Sequence, residues 1–231
     1  MRPYIVYANT ECGLIPSNDP NKTATHVPNS ACIYFVCSYD ETQNKKMIWY
    51  GENCIYDMVM ELYKIAEECI EKMRVNTEME LTRDDKSDFY NSTSCHICGC
   101  EFKDKEPRVR DHDHRTGKYR GAAHNKCNIN YFANRYLPVV MHNLKGYDGH
   151  LVIKNAYKIM QNLDINTNIS AIPNSGEKFM SIKIGNVKFI DSMQFMKSSL
   201  EKLTENLYDK EDKYKNFKHM KRYNADNLEL L

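Results

Sequence analysis

Apolar residues between Tyr56 and Met73 fall at positions 58, 59, 62, 65, 66, 69 and 70, a spacing that winds them onto one face of a helix. On either side the period shortens to that of strands. Tyr4-Ile5-Val6-Tyr7 reads as a short buried strand. Ala31–Tyr39 and Met47–Tyr50, rich in aromatic and β-branched residues and parted by a polar turn, read as two more. Residues 15–30, crowded with Pro, Asn, Ser and Thr, predict a loop, and the polar, charged stretch 76–94 a connector. Further on, Leu137–His142 predicts a strand and Gly149–Gln161 a helix. Phe179–Ile184 and Val187–Asp191 predict a hairpin turning at Gly185-Asn186, and Ser198–Asn206 a short helix. From Asp209 the mixture of Lys, Asp, Glu and aromatics shows no core face. The expectation is an α/β domain in two parts, 1–90 and 136–205, split by an inserted module at 91–135 and followed by a charged tail, 206–231.

Composition adds bounds. The 231 residues suffice for one to two domains with a sizeable core. A mean hydropathy of −0.67 with 27% charged residues describes a soluble chain. No stretch approaches the ~18 apolar residues of a membrane-spanning helix, and Met1-Arg2-Pro3-Tyr4 opens no signal peptide. Nine cysteines, an odd number without a regular framework, fit a reducing compartment better than a disulfide scaffold. The net charge of +1 conceals a division. Residues 91–135 hold nine Lys/Arg against five Asp/Glu, while the rest of the chain holds 23 against 26. Positive charge therefore gathers on the inserted module, as attraction to phosphate requires.

That module carries the chemistry. Cys95-x2-Cys98 is followed by Asp111-His112-Asp113-His114 and then by His124-x2-Cys127-Asn128. Two ligand pairs of short internal spacing across a long gap are what a closed tetrahedral zinc site needs, so Cys95, Cys98, His124 and Cys127 are expected to hold structural Zn2+. Cys100 breaks the spacing, and His124 and Cys127 are expected on the first turn of a helix. Val109-Arg110-Asp111 reads as a strand that turns at Arg115-Thr116-Gly117 and returns along Tyr119-Arg120. Strand, turn, strand and helix would bring Asp111 and Asn128 to one catalytic Mg2+ or Mn2+. His112 beside it would deprotonate the attacking water, and His114 would hydrogen-bond the scissile phosphate. Arg115, Lys118 and Arg120 are candidate DNA-phosphate clamps. The bland reading of Asp-His-Asp-His is a second zinc site or a solvated turn.

These residues, with Thr116-Gly117-Lys118-Tyr119-Arg120-Gly121, resemble recombination endonuclease VII over residues 95–130. That family is a ββα-metal (His-Me finger) nuclease acting on branched DNA. The resemblance implies Asp111 and Asn128 as Mg2+ ligands, His112 as general base and His114 as a transition-state stabiliser. His124 stands where the phage enzymes carry cysteine.

The flanks resemble a different family. Asn143-Leu144-Lys145-Gly146-Tyr147-Asp148-Gly149-His150 is similar to the second exonuclease motif of family B DNA polymerases. Ser199-Leu200-Glu201-Lys202-Leu203 is similar to the single-strand-binding motif of their protein-primed branch, which implies DNA contacts for Ser199 and Leu200. Asn9-Thr10-Glu11 lies where the first motif, Asp-x-Glu, belongs. The chain as a whole resembles the amino-terminal portion of a viral or Maverick/Polinton-type transposon polymerase, with an endonuclease VII-like insertion in an RNase H-like (DnaQ-type) exonuclease domain. Asn9 replaces a carboxylate that two-metal hydrolysis needs, so Asn9, Glu11 and Asp148 are expected to form a degenerate exonuclease site. Tyr208-x3-Asp212 has the spacing of the third motif but follows Ser199-Leu200 too closely.

The principal expectation is a DNA endonuclease without polymerase activity. Its rivals are a 3'-5' exonuclease fragment and a non-catalytic fragment of viral origin that binds DNA or a protein partner. Expected partners are DNA, branched or single-stranded, with homodimerisation left open and no membrane. The expected location is the nucleus or cytoplasm of a host cell. His26, His142, His150 and His219 lack partner sets in the sequence and are expected to be structural or exposed.

Overall fold

Helix α1 (Cys54–Arg74) buries all seven positions of the predicted stripe, together with Cys54 and Ile55. The computed structural model describes residues 2–16, 24–103, 106–133, 136–146, 148–163, 168–175 and 178–224. Residues 17–23 of the predicted loop, Tyr147 of the second polymerase-like motif and the tail beyond 224 lie outside them.

The face of α1 rests on a seven-stranded sheet. Its strands are β1 (Tyr4–Pro16), β2 (Ala24–Cys37), β3 (Lys45–Tyr50), β6 (Leu137–Met141), β7 (Ile169–Ser175), β8 (Lys178–Ile184) and β9 (Val187–Asp191), in the order β3-β2-β1-β6-β9-β8-β7. The first three strands are antiparallel, whereas β6 runs parallel to both β1 and β9. β2 buries Ala31, Ile33, Phe35 and Cys37 at alternate positions, the period of a strand with one core face. Central β6 buries Leu137, Pro138, Val139 and Met141, the continuous run of a parallel strand covered on both sides. Helix α4 (Asp148–Leu163) packs beside α1 and closes the core over Val152, Ala156 and Ile159.

The loop expected at 15–30 is overturned at 15–16 and 24–30. β1 runs to Pro16, β2 begins at Ala24, and the two pair through Ile15↔Thr25 and Cys12↔Pro28. Register slips between Glu11 and Cys12, which leaves Asn29 as the extra residue of a bulge and sets Pro28 beside it. A missing N–H is tolerated at a bulge, so the proline does not end the strand. The connector is also more ordered than expected. It contains helix α2 (Arg83–Asn91), started by a capping box in which Thr82 and Asp85 satisfy each other's backbone N–H.

The chain leaves the sheet after α1 and rejoins it at β6. Between them β4 (Arg108–His112) and β5 (Tyr119–His124) form a separate two-stranded ribbon that leads into helix α3 (Asn125–Ala133). After β9 come two short helices, α5 (Leu200–Glu205) and α6 (Lys218–Asn224). The tail does return to the sheet. Phe217 is buried, the Tyr34 hydroxyl meets His219 Nδ1 at 2.9 Å, and Lys218 pairs with Glu41. No helix of the described residues is long and apolar enough to cross a membrane.

Candidate active site and metal centre

Cys95 and Cys98 sit on a tight turn in which Gly99 N–H bonds Cys95 O at 2.8 Å and Cys95 N–H bonds Cys100 O at 2.9 Å. Gly99 adopts φ 73, the left-handed conformation that glycine takes without strain. His124 is the last residue of β5 rather than part of the helix, and Cys127 lies on the first turn of α3. The four donor atoms of Cys95, Cys98, His124 and Cys127 all lie within 4.8 Å of one another. His124 Nδ1 is 3.6 Å from Cys98 Sγ and 3.8 Å from Cys127 Sγ. Tetrahedral zinc with bonds of about 2.3 Å to sulfur and about 2.0 Å to nitrogen separates its ligands by about 3.5–3.8 Å. The donor set therefore fits zinc in identity and in spacing.

The surroundings fit as well. His124 Nε2 faces Glu106 Oε2 at 3.4 Å, and a carboxylate there fixes the ring so that Nδ1 points at the sulfurs. Burial pushes the Cys95 thiol up, but N–H groups of His124, Cys98 and Ile97 outweigh it and bring it down to about 6. Cys98 is lowered, first by the backbone N–H of Cys100, whereas burial raises Cys127 to about 11. The thiol of Cys100 contacts Cys98 O and stays out of the cluster.

The second centre begins at a bulge. Asp111 pairs with Gly121 and His112 with Tyr119, so Arg120 is the extra residue in β5. The bulge turns its side chain onto Asp111, with Nε on Oδ2 at 2.9 Å and a terminal nitrogen on Oδ1 at 2.7 Å. His96 Nε2 reaches the same Oδ2 at 2.8 Å. The Asp111 side chain is wholly buried in this cradle. Gly121 makes room for it, because a Cβ at that position would stand 2.8 Å from the His96 ring.

His112 and His114 project side by side with rings stacked at 4.7 Å, and His112 Nε2 lies 3.3 Å from Asn76 Oδ1. Asp113 caps the turn between the ribbon strands, its Oδ1 accepting N–H of Arg115 and Thr116. That turn docks on the connector: Thr77 N–H bonds His114 O, and Glu80 N–H bonds Gly117 O. Gly117 has φ 73, and a Cβ there would fall 2.4 Å from Glu78 O. Asn128 follows Cys127 on α3, and its Oδ1 is buried with no hydrogen-bond partner among the described residues. An acceptor oxygen buried without a donor suits a cation ligand. Asp111 retains capacity too, since three N–H contacts leave about one of its four lone-pair sites.

Of the expected phosphate clamps, Arg115 and Lys118 are exposed, Arg115 lying over the Tyr39 ring at 4.0 Å. Arg120 is committed to Asp111 and to the Tyr131 ring. His96, Asn76 and Glu106 were not anticipated from the sequence. The one signal for His96 is its position inside the Cys-x2-Cys turn that zinc would fix.

The polymerase-like residues gather at the other end of the sheet. Asn9 Nδ2 donates to Glu11 Oε1 at 3.0 Å, and the Thr10 hydroxyl donates to Asp148 at the start of α4. Asp191, fully buried at the end of β9, accepts N–H of Asn143, Lys145 and Met193 and so clamps the loop after β6. His142 Nδ1 hydrogen-bonds the Ser192 hydroxyl at 2.8 Å, and His150 meets the Phe179 ring edge-on. Ser199 caps α5 through Lys202 N–H, and Leu200 beside it is exposed. Tyr208 packs on Tyr214 and Phe217, and Asp212 pairs with Lys221.

Burial raises the Asp148 carboxyl, with Glu11 and Asp191 adding to it and the Thr10 hydroxyl opposing. A carboxyl raised on folding contributes stability at low pH that is lost as pH climbs through its folded value. Asp148→Asn keeps the acceptor for Thr10 and removes that cost, so it should raise the unfolding midpoint at pH 7. The gain should shrink as the solution is acidified through the Asp148 titration; a gain constant with pH would rule this origin out.

Residues 72–137, from the end of α1 to the first residue of β6, match the family model for recombination endonuclease VII. The match takes in both metal-type clusters and the connector, and leaves most of the sheet outside. No curated protein and no solved structure matches the chain.

Proposed function

We propose that the module between α1 and β6 is a zinc-stabilised, Mg2+- or Mn2+-dependent DNA endonuclease, carried by an RNase H-like exonuclease-type domain whose own activity is lost. One observation carries the reading. A closed Cys3His set ends at Cys127, and the next residue, Asn128, holds a buried carboxamide oxygen with no hydrogen-bond partner among the described residues. Cys95, Cys98, His124 and Cys127 hold zinc and thereby fix the turn of α3 that carries Asn128. Asp111 and Asn128 offer the hard oxygen donors that Mg2+ and Mn2+ take, leaving further positions to water and phosphate. Asp111 and Asn128 would hold such a cation, which would supply charge stabilisation to the phosphate undergoing cleavage.

The side chains divide the remaining work. With Nε2–H donated to Asn76 Oδ1, His112 keeps the Nδ1 lone pair and takes the proton of the attacking water. His114, stacked on it, hydrogen-bonds the scissile phosphate. Arg115 and Lys118 bind neighbouring phosphates, and Arg120 with His96 holds the Asp111 carboxylate in orientation. Branched DNA is the preferred substrate in this reading.

The sheet order supports the RNase H-like part, with three antiparallel strands followed by the parallel strands β6 and β9. Residues similar to two exonuclease motifs meet at one end of β1 and β6, which supports descent from the amino-terminal region of a viral or transposon family B polymerase. Loss of exonuclease activity is supported by Asn9, a neutral carboxamide that donates to Glu11 where two-metal hydrolysis needs a second carboxylate.

The test is cleavage of labelled linear, supercoiled and four-way-junction DNA in Mg2+ or Mn2+, with His112→Ala alongside. Wild type should make internal cuts, and the variant should lose about 10²–10⁴-fold in rate, the usual contribution of a general base. Internal nicking that persists in His112→Ala would remove the assignment. Stepwise shortening from 3' ends, equal in both, would return the activity to the exonuclease-like end. DNA binding without cleavage would favour a binding fragment.

A further inference from the structure

A cleft of about 710 Å³ lies between the module and the sheet, and of its lining residues the reading above uses His114, Arg115 and Arg120 but none from the sheet side. One wall comes from the sheet side, with Arg2, Tyr39 and Lys72; the other comes from the module, with His114, Arg115 and Tyr131. Its charge is one-sided. Among the described residues, Arg2, Lys72, Arg115 and Arg120 line it against a single carboxylate, Asp113, whose Oδ1 accepts backbone N–H of Arg115 and Thr116. Arg120 is committed to Asp111, but Lys72 and Arg115 form no ion pair among the described residues. Among the described residues Lys72 donates to the neutral Gln43 oxygen, at 3.4 Å.

Aromatic rings accompany these cations. Tyr131 is 45% exposed, Arg2 lies over Tyr136 at 4.5 Å, and Arg115 crosses between the walls to lie over Tyr39 at 4.0 Å. Positive side chains interleaved with rings, in a channel narrow enough for one arginine to bridge, suit a single strand: phosphates meet the cations and bases stack. A duplex would find the same charge on an open face. His114 lines both this cleft and the candidate active site, so a strand held at the scissile phosphate continues directly into the cleft.

We infer that the cleft formed by Arg2, Lys72, Arg115 and Tyr131 binds a short single-stranded DNA segment next to the cleavage point, which makes the sheet domain part of the substrate-binding surface. The inference rests on the endonuclease reading only for the word "cleavage"; strand binding stands or falls separately.

The probes are a fluorescent duplex with single-stranded arms and a blunt duplex of the same length, titrated by anisotropy without divalent cation. Wild type is compared with Arg2→Gln/Lys72→Gln and with Lys154→Gln/Lys183→Gln, an equal charge change outside the cleft. The cleft variant should bind the armed duplex about 10-fold more weakly, with a salt slope lower by about 1.4, the value for two phosphate contacts on a single strand. Its affinity for blunt duplex, zinc content and unfolding midpoint should match wild type. Lys72→Gln alone, which leaves Arg2 on Tyr136, should show about half the change in salt slope and serves if the double variant folds poorly. Unchanged affinity, an equal loss on blunt duplex, or an equal loss in the control variant would overturn the inference. A wild type that binds armed duplex through Arg2 and Lys72 but never cuts it in Mg2+ or Mn2+ would sink the endonuclease reading and keep the cleft. One that cuts while the cleft variant binds and cuts as well as wild type would sink the cleft alone.

Discussion

Cys98→Ser should abolish zinc binding and unfold the ribbon and α3 while leaving the seven-stranded sheet folded. The reason is how little apolar surface the module buries by itself. Its buried hydrophobic residues among those described are Phe89, Cys95, Ala122 and Ala123, whereas the sheet and its helices bury Ile33, Ile55, Leu62, Leu137, Val139, Phe189 and many more. Three small side chains and one phenylalanine cannot offset the ordering of some forty residues at about 1–2 kcal/mol of backbone entropy each. Metal bonds must supply the difference, and structural zinc sites contribute about 10–16 kcal/mol of apparent binding free energy at neutral pH. The check is paired. Metal analysis should find one zinc per chain in wild type and none in Cys98→Ser, and hydrogen exchange should show β4 and β5 amides losing protection while α1 amides keep theirs. A zinc-free variant with β4 and β5 still protected would contradict the structural role.

That division also explains what could be read from the sequence. The face of α1 was legible because its burial repeats over 21 residues, long enough for a helical period to stand out. The Cys3His set was legible because its spacing is local: two turns of chain bring each pair together. The hairpin of β1 and β2 was not, because composition near Pro28 argued for a loop while pairing with Cys12, sixteen residues away, decided for a strand. Helix α2 escaped notice because it buries only Phe89 and is held by its Thr82–Asp85 cap rather than by a stripe. Within the site, Asp111, His112 and His114 announce themselves as a run, but their partners do not. His96 reaches Asp111 through a fold of the Cys-x2-Cys turn, and Asn76 reaches His112 from a connector that looked featureless. Arg120 was expected to hold phosphate, and a one-residue bulge in β5 turned it onto Asp111 instead, a slip that no local pattern encodes.

Arg120→Ala should cost about 3–5 kcal/mol, far more than an ordinary surface arginine, because it leaves a buried carboxylate with a single donor. Asp111 is fully buried, and Arg120 supplies two of its three N–H contacts. The reverse truncation is milder, since the Arg120 side chain is 26% exposed and its charge can turn to water. Asp111→Asn/Arg120→Ala should therefore unfold later in urea than Arg120→Ala alone, although it lacks more native contacts. Mg2+ then tells a buried ion pair apart from a cation site. If Asp111 and Asn128 share a cation, millimolar Mg2+ should restore part of the stability that Arg120→Ala loses, because the ion binds the folded state and neutralises the same carboxylate. The double variant, with no charge at position 111, should respond far less. Equal losses in the single and double variants would mean that the carboxylate imposes no charge penalty. A full penalty that Mg2+ leaves untouched would instead mean that Arg120 and His96 use the whole of Asp111, and the cation site would have to be sought without it.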